Sequence, residues 1–103
     1  MLISTTDNIT GKTCQILGLV EGATVQCKHI GNDFLAGLKN LVGGEMTAYT
    51  DMMNEAREIA KQRMTQKALA LGADAVIGFR ISSAEITQGA AEVVAYGTAV
   101  KFV

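Results

Sequence analysis

A cysteine and the chain's one histidine stand two positions apart, at Cys27 and His29, and a second cysteine lies upstream at Cys14. Thiolate and imidazole groups are good ligands for zinc, copper and other soft metal ions. Residues two apart in a β-strand point to the same side, so Cys27 and His29 could reach one ion. A zinc site needs about four ligands, so a symmetric assembly would have to supply the rest. Such a pattern more often has no metal role, because the cysteines are buried as small apolar residues and the histidine lies on a surface loop.

Tyr49 and Arg57 are a second candidate pair, for binding a small ligand. Both lie on or near the apolar side of a predicted helix, where Arg57 neighbours Met53 and Met64. A partly buried arginine needs a carboxylate or carbonyl partner. Asp74 or a neighbouring subunit could provide one in a structural salt bridge, which is the interpretation we favour. The alternative is the carboxylate or phosphate of a ligand bound between subunits.

The composition argues against several classes of function. The net charge is -1 and no basic cluster occurs, whereas nucleic-acid binding depends on lysine and arginine neutralising phosphates. No stretch approaches the ~18 consecutive apolar residues of a membrane span. Polar residues follow the first four, so we expect no signal peptide and a cytoplasmic protein with reduced cysteines. With one histidine and no G-x-S-x-G motif, catalysis finds little support.

A long helix is predicted over residues 45–71 and ends at Gly72, which can take the left-handed conformation of a helix C-terminus. A shorter helix is predicted from Asn32 or Asp33 to Val42. In the long segment, apolar residues recur in steps of three and four, as on a helix with one buried stripe. These residues are Tyr49, Met52, Met53, Ala56, Ile59, Ala60, Met64, Ala68 and Leu71.

The first half of the chain predicts one principal strand, over residues 13–27. Glu21 and Gly22 interrupt its apolar pattern, and a glycine inside a strand indicates a bulge or, alternatively, a hairpin turn. We favour one long bent strand. Residues 1–4 are a short apolar start that could form an edge strand.

Two further strands are predicted over residues 74–82 and 92–103, joined by a connection over 82–91. The first of them should carry Ala75, Ile77, Phe79 and Ile81 on one face. The last strand is apolar or small on both faces: Val94, Tyr96, Thr98, Val100 and Phe102 on one, Val93, Ala95, Gly97, Ala99 and Val103 on the other. A strand in a sheet with one solvent-exposed face would alternate apolar and polar residues. Because this strand does not, we expect both faces of the sheet to be covered.

These elements predict a single α+β domain over residues 1–103, with an antiparallel three-stranded sheet, one long helix and one short helix. The order strand, helix, strand, strand places the last strand in the middle of the sheet. One helical layer covers one face. The other face would be covered most economically by a neighbouring subunit, so a homo-oligomer is expected.

Several runs of the sequence resemble the YbjQ-like family of uncharacterised bacterial proteins. The resemblance covers essentially the whole chain. It implies a dodecin-like β-α-β-β subunit that assembles as a homopentameric ring. The family is described as heavy-metal-binding. Members usually have small or amide residues at positions 27–29, so the resemblance does not extend to a metal role for Cys27 and His29. The matching residues are Ser4-Thr5-Thr6, Phe34, Ala36, Leu41-Val42-Gly43-Gly44, Tyr49, Ala56-Arg57, Ala60, Ala68, the run 72–78 and Gly97-Thr98-Ala99-Val100.

The leading functional hypothesis is therefore a non-catalytic homo-oligomer that binds a soft metal, zinc or copper, or a small ligand at its subunit interfaces. A small hydrolase or similar enzyme with an interface pocket is one alternative. A purely structural or interaction ring is another, and smooth interfaces without a pocket would favour it.

Overall fold

The computed structural model describes residues 1–27 and 47–103 of the chain. Its elements follow in the order β1 (Leu2–Ile3), β2 (Cys14–Cys27), α1 (Thr47–Ala70), β3 (Ala75–Thr87) and β4 (Ala90–Phe102). The predicted α+β class is confirmed. The predicted short helix, and the first residues of the predicted long one, lie outside the described residues.

The β-sheet has four strands, in the spatial order β1-β3-β4-β2. As predicted, the last strand lies in the middle and is antiparallel to both neighbours. The prediction of a wholly antiparallel, three-stranded sheet is wrong, because β1 runs parallel to β3 at its edge. A hydrogen bond of 2.9 Å from the Ser4 N–H to the Val76 carbonyl extends this pairing. A strand of two residues is too short to show a period in the sequence.

β2 is one continuous strand, as predicted, but its bulge is at Gly18 rather than at Gly22. The register against β4 shifts between Ile16, which pairs with Val100, and Gly18, which pairs with Ala99. Gly22 keeps its place in the regular ladder, so its lack of a side chain has another cause.

That cause is the close approach of α1. A Cβ atom built on Gly22 would overlap the carbonyl oxygen of Ala60 and the backbone nitrogen of Met64. Only glycine lets the backbones of strand and helix come so near. The predicted inner stripe of the helix is confirmed for its buried members Met52, Met53, Ala56, Ala60, Met64 and Ala68. Tyr49 and Ile59 are half-buried, and the prediction is wrong for Leu71, which is exposed.

The helix ends as predicted, with Gly72 in the left-handed region at φ 79°. The N–H of Gly72 donates to the Leu69 carbonyl at 2.9 Å, and that of Ala73 donates to the Ala68 carbonyl at 3.1 Å. These bonds satisfy carbonyls that would otherwise lack a partner at the helix terminus. The chain then turns directly into β3.

β3 inverts its alternation at Gly78, where φ is 61° and the register against β4 shifts. Phe79 packs on the main core beneath α1, whereas Ile77 belongs to a second cluster on the opposite face. The prediction that Phe79 and Ile81 share a face with Ile77 is therefore wrong, because one extra residue in a strand moves all later side chains to the other side.

β3 and β4 form a long hairpin with a tight turn at Gln88 and Gly89, so the predicted connection over residues 82–91 is wrong. Gly89, the second residue of the turn, has φ 78°, a left-handed conformation that glycine adopts without steric cost. Ser82 and Ser83, at the start of that predicted connection, pair with β4 in regular register. α1 packs mainly on β2 and β4 and makes little contact with β3.

The two faces of the sheet are covered unequally. Beneath α1 the last strand is buried through Val93, Ala95 and Ala99, as the predicted faces required. On the opposite face, Ile9 packs over a small cluster that includes Ile77 and Val100. The rest of that face is exposed or, at Val94, half-buried in the single chain, and we call it the open face: Ile16, Leu19, Ala23, Val25, Val94 and Tyr96.

Candidate functional site

The two cysteines lie at opposite ends of β2. Cys14 is half-buried beside Phe102, and Cys27 is exposed beside Ala90 at the start of β4. A strand of 14 residues spans about 45 Å, so the two thiols of one chain cannot bind one ion. His29, the other predicted ligand, lies outside the described residues. Cys14 is therefore excluded from a metal site with Cys27 of the same chain. Of the predicted ligands, Cys27 and His29 remain as the pair that one chain could contribute.

Within residues 1–27 and 47–103, no three side chains of histidine, cysteine, aspartate or glutamate come close enough to hold a metal ion together. Zinc takes about four ligands. A metal at Cys27 would thus draw its remaining ligands from residues outside the described part of the chain, such as His29, or from other copies of the chain.

Tyr49 and Arg57 lie eight positions apart on α1 and differ in burial in the single chain. Tyr49 is half-buried against the main core. Arg57 is exposed, and its Nη1 donates to Oδ1 of Asn54 at 2.8 Å. The predicted partial burial of Arg57 is wrong for the isolated subunit, because the buried stripe passes through Ala56 and Ala60 and leaves position 57 on the outer side.

Asp74, the proposed partner of Arg57, has other contacts. Its Oδ2 accepts a hydrogen bond of 2.8 Å from the Phe102 N–H and lies 3.9 Å from the Lys101 ammonium group. Asp74 thus ties the start of β3 to the end of β4. A carboxylate partner for Arg57 would therefore have to come from a residue other than Asp74.

The Ser4-Thr5-Thr6 segment, one of the matching runs, joins the start of the chain to β3. The Thr6 hydroxyl donates to the Asn8 carbonyl at 2.6 Å, so the Ser4 hydroxyl, 2.6 Å from Thr6 Oγ1, is the donor between them. Arg80 Nη1 donates to the Thr5 carbonyl at 3.1 Å. These contacts are internal, and they give the segment a structural role.

A groove that the sequence analysis missed runs between α1 and the outer edge of β2. It consists of two adjoining cavities of ≈ 430 Å³ and ≈ 420 Å³, which share Lys67 and Ala70. Arg63 borders the first cavity, and its Nη1 donates to the Ala23 carbonyl at 2.7 Å. The signal in the sequence was the spacing of Arg63 and Lys67, four apart and so on one side of the helix.

β2 is the last strand of the sheet, so no described strand pairs with its far side. On the open face, Ile16 and Leu19 are each 70% exposed and Val25 is 56% exposed. An unpaired edge beside exposed apolar side chains is a site where another chain can add.

Comparison with known proteins gives the family. A family model described as "Putative heavy-metal-binding" matches residues 1–103. The chain belongs to this YbjQ-like family. Among similar members are UPF0145 proteins of Clostridium novyi, 58% identical over 98% of both chains, and of Alkaliphilus metalliredigens, 54% identical over 100% of both. A UPF0145 protein of Thermus thermophilus is 52% identical over 98% of this chain and 90% of its own.

A solved structure supports the fold. It is the crystal structure of a protein with unknown function of the DUF74 family from Pediococcus pentosaceus, with a TM-score of 0.66 over 100% of this chain and 98% of that one. At 20% sequence identity the likeness concerns the fold alone. In the parts of the chain that the structure describes, no helix is long and apolar enough to cross a membrane.

Proposed function

We propose that this family member is a non-catalytic homo-oligomer, pentameric as the family resemblance implies, that binds a soft metal ion or a small ligand where its subunits meet. The observation that carries the proposal is the open face, with Leu19 and Ile16 each 70% exposed beside an unpaired edge strand.

The energetics favour association. Burying one large apolar side chain contributes about 1.5–3 kcal/mol, and the open face holds several of them within one sheet. A monomer that left this surface in water would be prone to aggregate. A closed ring covers the same surface once in every subunit.

The position of Cys27 supports a ligand site at the interface. This exposed residue ends the edge strand, so a ring brings each copy near a neighbouring subunit. A thiolate and an imidazole from each chain suit zinc or Cu⁺, and symmetry would complete the ligand set. The family description, heavy-metal binding, agrees with this chemistry.

Native mass spectrometry of protein purified from cells tests the assembly and any retained ligand in one measurement. We expect a discrete oligomer, with five subunits if the family resemblance holds. A well-folded monomer at about 10 µM would contradict the proposal, since an obligate oligomer should remain assembled at such a concentration.

Calorimetric titration with Zn²⁺ or Cu⁺ tests the metal site. Cys27→Ser and His29→Ala should each weaken binding by ~10-fold or more, because losing one ligand opens the coordination shell. Cys14→Ser is the matched control and should leave the affinity unchanged, since Cys14 lies at the far end of β2. Equal affinity in the wild type and in the Cys27/His29 double variant would rule out metal binding at this position.

A further inference from the structure

The sheet has a second open edge, on the opposite side from β2. β1 pairs with β3 only at Ala75 and Val76, and the contacts of Ser4 and Thr6 end at Phe79. From residue 80 to residue 87 no described strand pairs with the outer side of β3. We call residues 80–87 the β3 arm.

The β3 arm carries side chains that face the α1 side of the sheet without being covered by α1. Ile81 pairs with Ala95 and Glu85 pairs with Ala91, and both alanines are buried on that side. Ile81 is nevertheless 38% exposed, and Glu85 is exposed. The reason is that α1 lies mainly over β2 and β4 and makes little contact with β3.

The groove between α1 and β2 is complementary to the β3 arm. It carries the cations Arg63 and Lys67 above the edge of β2, with Ala70 and Leu71 adding apolar lining. Leu19 and Glu21 also border it, but they stand at β2 positions whose side chains alternate to the open face. A strand added to this edge would direct every second side chain toward α1. An arm with isoleucine and glutamate on that side would meet an apolar wall and two positive charges.

Strand direction makes this contact a head-to-tail one. β2 and β3 are both antiparallel to β4, so they are parallel to each other in the sheet. If β2 of one copy meets the β3 arm of the next by a rotation about an axis, the two strands pair in parallel. Each copy then uses one of its two open edges for each neighbour, which gives a ring rather than a two-fold dimer.

We propose that the β3 arm of a second copy of this chain pairs in parallel with the outer edge of β2, with its Glu85 against Lys67 and Arg63 of the groove. This rests on the proposed homo-oligomer and identifies the surfaces that join its subunits. The sheet then continues from one subunit to the next, and both open edges of every subunit are covered.

A charge exchange tests the contact. Glu85→Lys and Lys67→Glu should each raise the dissociation constant of the oligomer by about tenfold, because each places like charges together at the interface. The double variant Glu85→Lys/Lys67→Glu should recover most of the wild-type affinity. Lys67 is the better groove residue to exchange, since Arg63 also supports the backbone of β2 through Ala23.

The readout is sedimentation velocity over a dilution series, with circular dichroism to show that each variant is folded. Glu55→Lys is the matched control: it changes the same charge at an exposed position of α1 outside the groove, and it should leave the assembly unchanged.

Four outcomes bear on the proposal. Weakening by each single variant with recovery in the double variant supports it. An oligomer insensitive to Glu85→Lys overturns the arm contact and leaves the homo-oligomer intact, as would be found if two β2 edges paired with each other. Weakening without recovery overturns the pairing of Glu85 with Lys67. A wild-type monomer overturns the proposed function itself.

Discussion

The two faces of this sheet are built from side chains of different size. On the face beneath α1, glycine and alanine predominate at the contacts, as at Gly22, Ala60 and Ala95, and the backbones lie close together. On the open face the side chains are large, as at Leu19 and Tyr96, and they stand in solvent.

This difference indicates two kinds of packing. Small residues suit a contact in which helix and sheet always meet in one geometry within one chain, because there is little freedom to adjust it. Large apolar residues on an exposed strand surface gain most when another chain covers them. We infer that the covered face determines the subunit fold and that the open face contributes to association.

The largest effect is expected from adding one methyl group to the covered face. Gly22→Ala should lower the free energy of unfolding by about 3 kcal/mol or more, because the new Cβ atom meets backbone atoms of α1, which cannot rotate away. Urea denaturation followed by circular dichroism measures this loss.

Gly97→Ala is the matched comparison. Its Cβ atom would lie 2.6 Å from Cγ1 of Val76 and 3.0 Å from the Ile77 carbonyl oxygen, so part of the clash is with a side chain that can shift. The loss should be smaller, about 1–3 kcal/mol. If Gly22→Ala were the milder change, the close approach of helix and strand would not be what constrains this face.

An intermediate effect is expected on the open face, and on association rather than folding. Leu19→Ser should weaken subunit association by about tenfold or more, since each subunit loses the burial of a large apolar side chain. Analytical ultracentrifugation measures it. Leu69→Ser, at a residue 58% exposed on α1, is the control and should change association little. If Leu19→Ser and Leu69→Ser weakened association equally, the open face would have no special role in association.

The smallest effect is expected on the outer side of α1, which belongs to neither face. Arg57→Met should change the free energy of unfolding by no more than about 0.5 kcal/mol, because Arg57 is exposed and its guanidinium bonds the nearby Asn54 on the outer side of the same helix. Thermal melts of the assembled protein provide the measurement. A loss well above this value would show that assembly covers Arg57, as the sequence analysis first supposed.

Much of the core could be predicted from sequence, and the site could not. The stripe from Met52 to Ala68 follows from helical spacing, and the faces of β4 follow from alternation, because each pattern repeats over several turns or residues. Arg57 was misplaced because it borders that stripe by one position. The groove at Lys67 was missed because it depends on where β2 lies under the helix.

The sequence by itself determined the α+β class and the long helix ending at Gly72, since local propensity and periodicity carry these features. The order of the elements placed the last strand in the middle, and the matching residue runs indicated the family. Only the tertiary structure decided the parallel pairing of the edge strand Leu2–Ile3 with β3, the inverted face after Gly78 and the separation of Cys14 from Cys27 along β2. Each of these depends on pairing between distant segments or on a one-residue shift in register. A shift of one residue moves every later side chain to the other face, and no local pattern records it in advance.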